Sequence, residues 1–220
     1  MSRYRKVFMK KYILIFTLIF SMCYVNAAYL NKDLENAVNT NDLAAVQAQI
    51  KKGIDINAKS KSGLTPLMYA VKAGNQDIVK LLIDNGADVN IKGSYDYTAL
   101  MFTSSRNNLK IIDMLLANGA DINAKNSDGM TALMYAVISE DLGAAEVLIK
   151  NGADLNITNN GGDTALVQAI VCDDVEMVEL LLKNGADINI KNDEGSTAYD
   201  YAVQIGIGRI TELLKQYGAK

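Results

Sequence analysis

The chain has 220 residues, half of them hydrophobic and one of them proline, which excludes broad disorder and leaves room for one domain or one repeat array. Five bases and no acid precede residue 28, so the remainder holds 17 basic against 25 acidic residues, a net charge of −8 that suits a phosphate backbone poorly. No histidine occurs, which removes Ser-His and Cys-His nucleophile pairs and histidine metal ligands, and two cysteines, Cys23 and Cys172, cannot build a disulfide framework.

Residues 1–27 begin basic, with Arg3, Arg5, Lys6, Lys10 and Lys11, and continue apolar from Tyr12 to Phe20. They end in small residues, with Val25 and Ala27 placed for cleavage before Ala28. This is the order of a bacterial-type signal peptide, and the apolar run is short for a membrane span of about 20 residues. Two other readings stay open: an uncleaved anchor, and lipid attached at Cys23. If the segment is removed, Cys172 is the single cysteine left, either a reactive thiol or, more commonly, a small buried hydrophobe.

From residue 28 onward the chain repeats itself. Gly86, Gly119, Gly152 and Gly185 each sit in the tetrapeptide NGAD at steps of 33 residues, and Gly53 and Gly218 extend the series outward. Thr65, Thr98, Thr131, Thr164 and Thr197 keep the same step. Each threonine is placed as an N-cap, and Pro66 stands at a first helical position, where its missing N–H costs nothing. A short helix such as "PLMYAVKA" follows, then a turn at Gly74 or Asn107, then a second helix. Glu140 stands at the same turn and does not fit the rule. Ile78, Val79, Leu81, Leu82 and Ile83 leave that second helix apolar nearly all round, so stacked neighbours must cover it. Asn-Gly then stops the helix, with glycine supplying the left-handed residue. Gly119 is therefore expected to tolerate valine worse than Gly162, in a looser hairpin, tolerates alanine.

The aspartates of the tetrapeptides are punctuation rather than a metal site. Asp55, Asp88, Asp121, Asp154 and Asp187 occur once per unit, and stacked helices lie roughly 8–10 Å apart, whereas calcium ligands sit about 2.3–2.6 Å from the ion. No cofactor is expected.

The lines "TPLMYA", "TALMFT", "TALMYA", "TALVQA" and "TAYDYA", together with the period of 33, resemble the signature T-P-L-H-x-A of ankyrin-repeat proteins. The resemblance implies an all-α ankyrin-repeat solenoid of helix-turn-helix units with short β-hairpin loops. The units fall at about 28–59, 60–92, 93–125, 126–158, 159–191 and 192–220. Gln49 replaces an interior leucine in the front unit and Lys215 an interior apolar residue in the last. Both look like the polar outer faces of end caps, which would leave no residues for a separate catalytic domain. The signature histidine is replaced by Met68, Met101, Met134, Val167 and Asp200; methionine here reads as flexible filling between units.

In this family partners are bound through hairpin tips and the concave helix face, so candidate contacts are sought where the units differ. At the tips these are Leu64, Tyr95, Tyr97, Met130, Asp163, Asp193 and Glu194; late in the first helices they are Arg106, Ile138 and Val171. In an extended arm Tyr95 and Tyr97 would share one face, and Leu64, Tyr97 and Met130 would align as a stripe. The stripe is either a contact surface or a cover folded back on the hairpins. The expected function is non-enzymatic protein binding by a monomer outside the cytoplasm, with no nucleic acid and with membrane contact only through the signal peptide. An accessory subunit of an exported enzyme and a secreted host-directed effector are the alternatives.

Overall fold

Four of the five repeated threonines do what their chemistry suggests. In the computed structural model, which describes residues 31–103 and 108–219, the Thr65 hydroxyl accepts from the Met68 N–H at 3.3 Å and Thr131 from Met134 at 3.3 Å. Thr164 and Thr197 cap Val167 and Asp200 in the same way. The second helices start on Asp42, Asn75, Asp141 and Asp174, which accept from the third residue onward at 2.9–3.0 Å. Such a cap stabilises a helix by about 1 kcal/mol.

Twelve α-helices result among the described residues, with no strand. They run as α1 Lys32–Asn39, α2 Leu43–Lys51, α3 Pro66–Ala73, α4 Gln76–Asp84, α5 Ala99–Thr103 and α6 Leu109–Ala117. The second half is α7 Ala132–Ile138, α8 Leu142–Lys150, α9 Ala165–Val171, α10 Val175–Lys183, α11 Ala198–Ile205 and α12 Gly208–Gln216. They form six pairs. The first helix of each pair packs on the first helix of the next, and the second on the second. The hairpins between pairs are closed by a backbone bond, as from Asn126 N–H to the Met130 carbonyl at 3.1 Å, without becoming strands. Residues 1–27 of the expected signal peptide, Arg106 and Asn107 lie outside the described residues.

Burial follows the stacking. Leu67, Ile78, Leu82, Ile112, Leu115, Leu133 and Leu148 are at most 1% exposed, filling one continuous core between neighbouring pairs. Removing such a side chain from water contributes about 1.5–3 kcal/mol. Met68, Met101, Met134 and Val167 are buried in the same core, as gap filling requires. Gln49 corrects the cap reading: it is buried, and its side-chain carbonyl takes a 3.5 Å bond from Lys52 Nζ.

The tetrapeptide holds the stack as well as ending the helix. Gly86 has φ +89°, and the Ala87 N–H reaches back to the Leu82 carbonyl at 3.0 Å. The amide of Asn85 donates to the Leu81 carbonyl at 2.8 Å, and Asn118, Asn151 and Asn184 repeat that bond. Asp88 accepts the Asn90 N–H at 2.8 Å, which makes a local turn. Asn90 then crosses to the next unit, donating to the Gly119 carbonyl and accepting from the Asp121 N–H, both at 2.8 Å. Asn57, Asn123 and Asn156 also accept from the next unit's aspartate N–H. This asparagine ladder was not foreseen in the sequence.

The space around Gly119 and Gly162 argues against their expected ranking. Both have φ +80°. A Cβ on Gly119 would meet nothing within 4 Å, whereas one on Gly162 would lie 2.7 Å from Asn192 Cα and 2.7 Å from Asp193 N. The neighbouring hairpin packs onto it through the 3.1 Å bond from Asp193 N–H to the Gly161 carbonyl.

Candidate interaction face

The hairpin tips are built by one side chain at the same place in most units. Asn126 accepts from Asp128 N–H at 3.0 Å and Met130 N–H at 2.8 Å, and donates to the Tyr135 hydroxyl at 2.9 Å. Asn159 and Asn192 accept two N–H groups each in the same way. Ser60 does part of this work at the second tip.

The third tip has Gly93 at that place and no side chain to organise it. Ser94–Asp96 instead coils into a short 3₁₀ turn, with Tyr95 at φ +54° and Asp96 at φ +59°. Non-glycine residues in this region cost about 1–2 kcal/mol each. The extended arm expected for Tyr95 and Tyr97 is therefore absent. Tyr95 stands 77% exposed, while Tyr97 turns inward and is half-buried. Its ring stacks on Phe102 at 5.4 Å and meets Tyr135 at 5.3 Å, and its hydroxyl is bonded to that of Tyr135. Burial, then the Tyr97 hydroxyl, pushes the Tyr135 phenol well above the usual range.

The stripe resolves accordingly. Met130 is 8% exposed and belongs to the core, and Leu64 is half-buried against it. These two and Tyr97 cover the hairpins rather than face outward. Asp163, at the fifth tip, is half-buried and accepts from the Asn192 amide at 3.2 Å; Asp193 and Glu194 are exposed at the sixth. Arg106 lies outside the described residues.

The first helices give the opposite result. Ile138 and Val171 end α7 and α9, two helices in contact, at the same place in the repeat, and are 44% and 54% exposed. Ile205, one place past the matching position at the end of α11, is also exposed, at 49%, and was missed in the sequence. Its signal was there: Ile205 is a large apolar residue one place past the polar Gln204. Beside these residues lies a groove of about 490 Å³, walled by Glu140, Asp173, Asp174 and Glu176, with Val175 and one base, Arg209. Cys172 lines it too, half-buried. Burial, then Glu140 and Asp174, pushes its thiol up, which opposes thiolate formation. Among the described residues no group of His, Cys, Asp or Glu is placed to hold a metal.

Stacked helix pairs of fixed period, tied by a side-chain ladder and variable at their tips, define a repeat array of the kind that binds other macromolecules along one side. The family model for ankyrin repeats (three copies) matches residues 34–126, 95–159, 124–192 and 158–220, and the chain belongs to the ankyrin-repeat family. Ankyrin repeats are a protein–protein interaction module. Over 49 residues the chain is 45% identical to an ankyrin repeat protein of fowlpox virus (strain NVSL). That stretch is 22% of this chain and 35% of the viral protein, so the chain spans about a third of the relative it matches.

Proposed function

We propose that the chain is a non-enzymatic protein-binding array that works as a monomer outside the cytoplasm. The observation that carries this reading is the pair of exposed apolar residues at one place in adjacent units, Ile138 and Val171, with Ile205 exposed at the end of α11. Ile138 and Val171 hold apolar side chains out at one matching place in adjacent units, and a continuous exposed apolar patch marks a contact surface where single scattered residues do not. Tyr95 adds an exposed aromatic at a tip, and tyrosine is frequent among residues that dominate binding. The export part of the proposal rests on the basic-then-apolar order of residues 1–27.

The test is capture of a partner from native extract by the full chain, with Val171→Asp and Tyr95→Ala compared singly and together. Both side chains are exposed, so helicity by circular dichroism should be unchanged. The proposal expects Val171→Asp to remove the captured protein and Tyr95→Ala to weaken capture by tenfold or more. Undiminished capture by the double variant would overturn it. Mass spectrometry of the protein recovered from cell fractions tests export: a species beginning at Ala28 is expected, and one retaining Tyr12 to Phe20 would point to an anchor.

A further inference from the structure

Among the described residues, the turn after a first helix places a left-handed residue at Asn41, Gly74, Glu140, Asp173 and Gly206. Gly74 and Gly206 supply it at φ +74° and +82°. In the fourth and fifth pairs the same place holds Glu140 and Asp173, at φ +53° and +54°. A left-handed carboxylate residue is strained where glycine is not, and strain of this kind persists mainly where a side chain is needed. The two units with a carboxylate at this turn are also the two that present Ile138 and Val171; in the first unit the left-handed residue is the uncharged Asn41, at φ +59°, and the matching helix residue is the polar Asn39. Where the turn is glycine, the matching helix residues are polar, Lys72 and Gln204. Apolar residue and carboxylate thus occur together, two residues apart, in adjacent units. Asp174 and Glu176 add to the acidic wall of the groove, against the single base Arg209.

We propose that this face takes an amphipathic, Lys/Arg-bearing segment of a partner protein, its apolar side on Ile138, Val171 and Ile205 and its cationic side chains over Glu140 and Asp173. This rests on the protein-binding reading and names the chemistry of the partner. A neutral apolar segment would leave the carboxylates without a counter-charge, and an acidic one would be repelled by them.

The probe is a synthetic peptide of about 18 residues, long enough to hold a helix, with leucine on one face and lysine on the other. A second peptide carries glutamate in place of lysine. Binding to the full chain is read by fluorescence anisotropy at two salt concentrations. The lysine peptide is expected to bind, more weakly at high salt, and the glutamate peptide not to bind. The variant with Glu140→Gly and Asp173→Gly should weaken binding tenfold or more and flatten the salt dependence. Because glycine suits both turns, its urea midpoint should not fall, which separates lost binding from lost fold. Asp77→Asn and Asp113→Asn, on second helices, should change nothing. Equal binding of the two peptides, no binding of the lysine peptide, or an unchanged affinity in the double-glycine variant would overturn the proposal. If the lysine peptide fails while Val171→Asp still abolishes native capture, the binding face stands and the basic partner falls. If capture also survives Val171→Asp, both fall.

Discussion

The third and fourth tips have the same length and sit in the same stack, yet they are held by different means. At the fourth, Asn126 gathers two N–H groups and the Tyr135 hydroxyl, Gly129 takes φ +76° without strain, and Thr131 caps the helix that follows. At the third, Gly93 gathers nothing, and Tyr95 and Asp96 occupy left-handed backbone. Thr98 keeps a buried hydroxyl oxygen with no partner among the described residues. Repetition therefore fixes the path of the chain, while the cost of each tip depends on one organising side chain. The costly tip is the one that exposes the aromatic.

Changes that break this contrast should act in opposite directions at the two tips. The largest effect is expected at Gly129→Ala. A Cβ there would lie 2.7 Å from Asn160 N, in left-handed backbone. Strain of about 1–2 kcal/mol and overpacking of similar size predict a loss of about 3 kcal/mol in urea melts. Next, valine in place of the tip threonines should have opposite signs. Thr131→Val loses a cap and about 1 kcal/mol, whereas Thr98→Val removes an unpaired buried hydroxyl and should gain about 1 kcal/mol. Smaller still is Tyr95→Gly. Relief of strain, less the extra freedom of an unfolded glycine, predicts a gain of about 0.5 kcal/mol. That variant should become more stable while losing capture, and a fall in its urea midpoint would show that the ring supports the fold.

The smallest effect concerns Cys172. With its pKa raised in the folded chain, less thiolate is present at pH 8 than for a free cysteine. Reaction with a disulfide reagent should be slower than for the unfolded chain, and should keep accelerating above the pH where the unfolded chain levels off. Glu140→Gly should speed it, because one of the charges opposing ionisation is gone. Reaction as fast as in the unfolded chain would show that neither burial nor charge acts on the thiol.

The architecture was legible because the same backbone geometry recurs. Left-handed stops force glycine at Gly86 and its equivalents, and free N–H groups favour threonine at Thr65 and its equivalents. Ile138 and Val171 were legible because the late first-helix place is polar in other units. Met130 and Tyr97 were not, since period alone cannot say whether a tip residue folds onto Tyr135 or outward. The sequence held one usable clue. Asp96 stands where Gly63, Gly129, Gly162 and Gly195 stand elsewhere, and Gly93 where an asparagine or serine does. Two missing turn residues in one tip signal a different turn, and with it the failure of the extended arm. The asparagine ladder escaped because each Asn90-type residue already had a local explanation as a turn former.

The central claim is that protein is bound along the exposed apolar residues of the first helices rather than on the second helices. It is tested most directly by placing a photo-crosslinking amino acid at Val171 in one protein and at Glu146, exposed on α8, in another, and illuminating each in native extract. The account predicts an adduct of one defined mass from position 171 and none from 146. An adduct from 146 alone, or the same adduct from both, would contradict it.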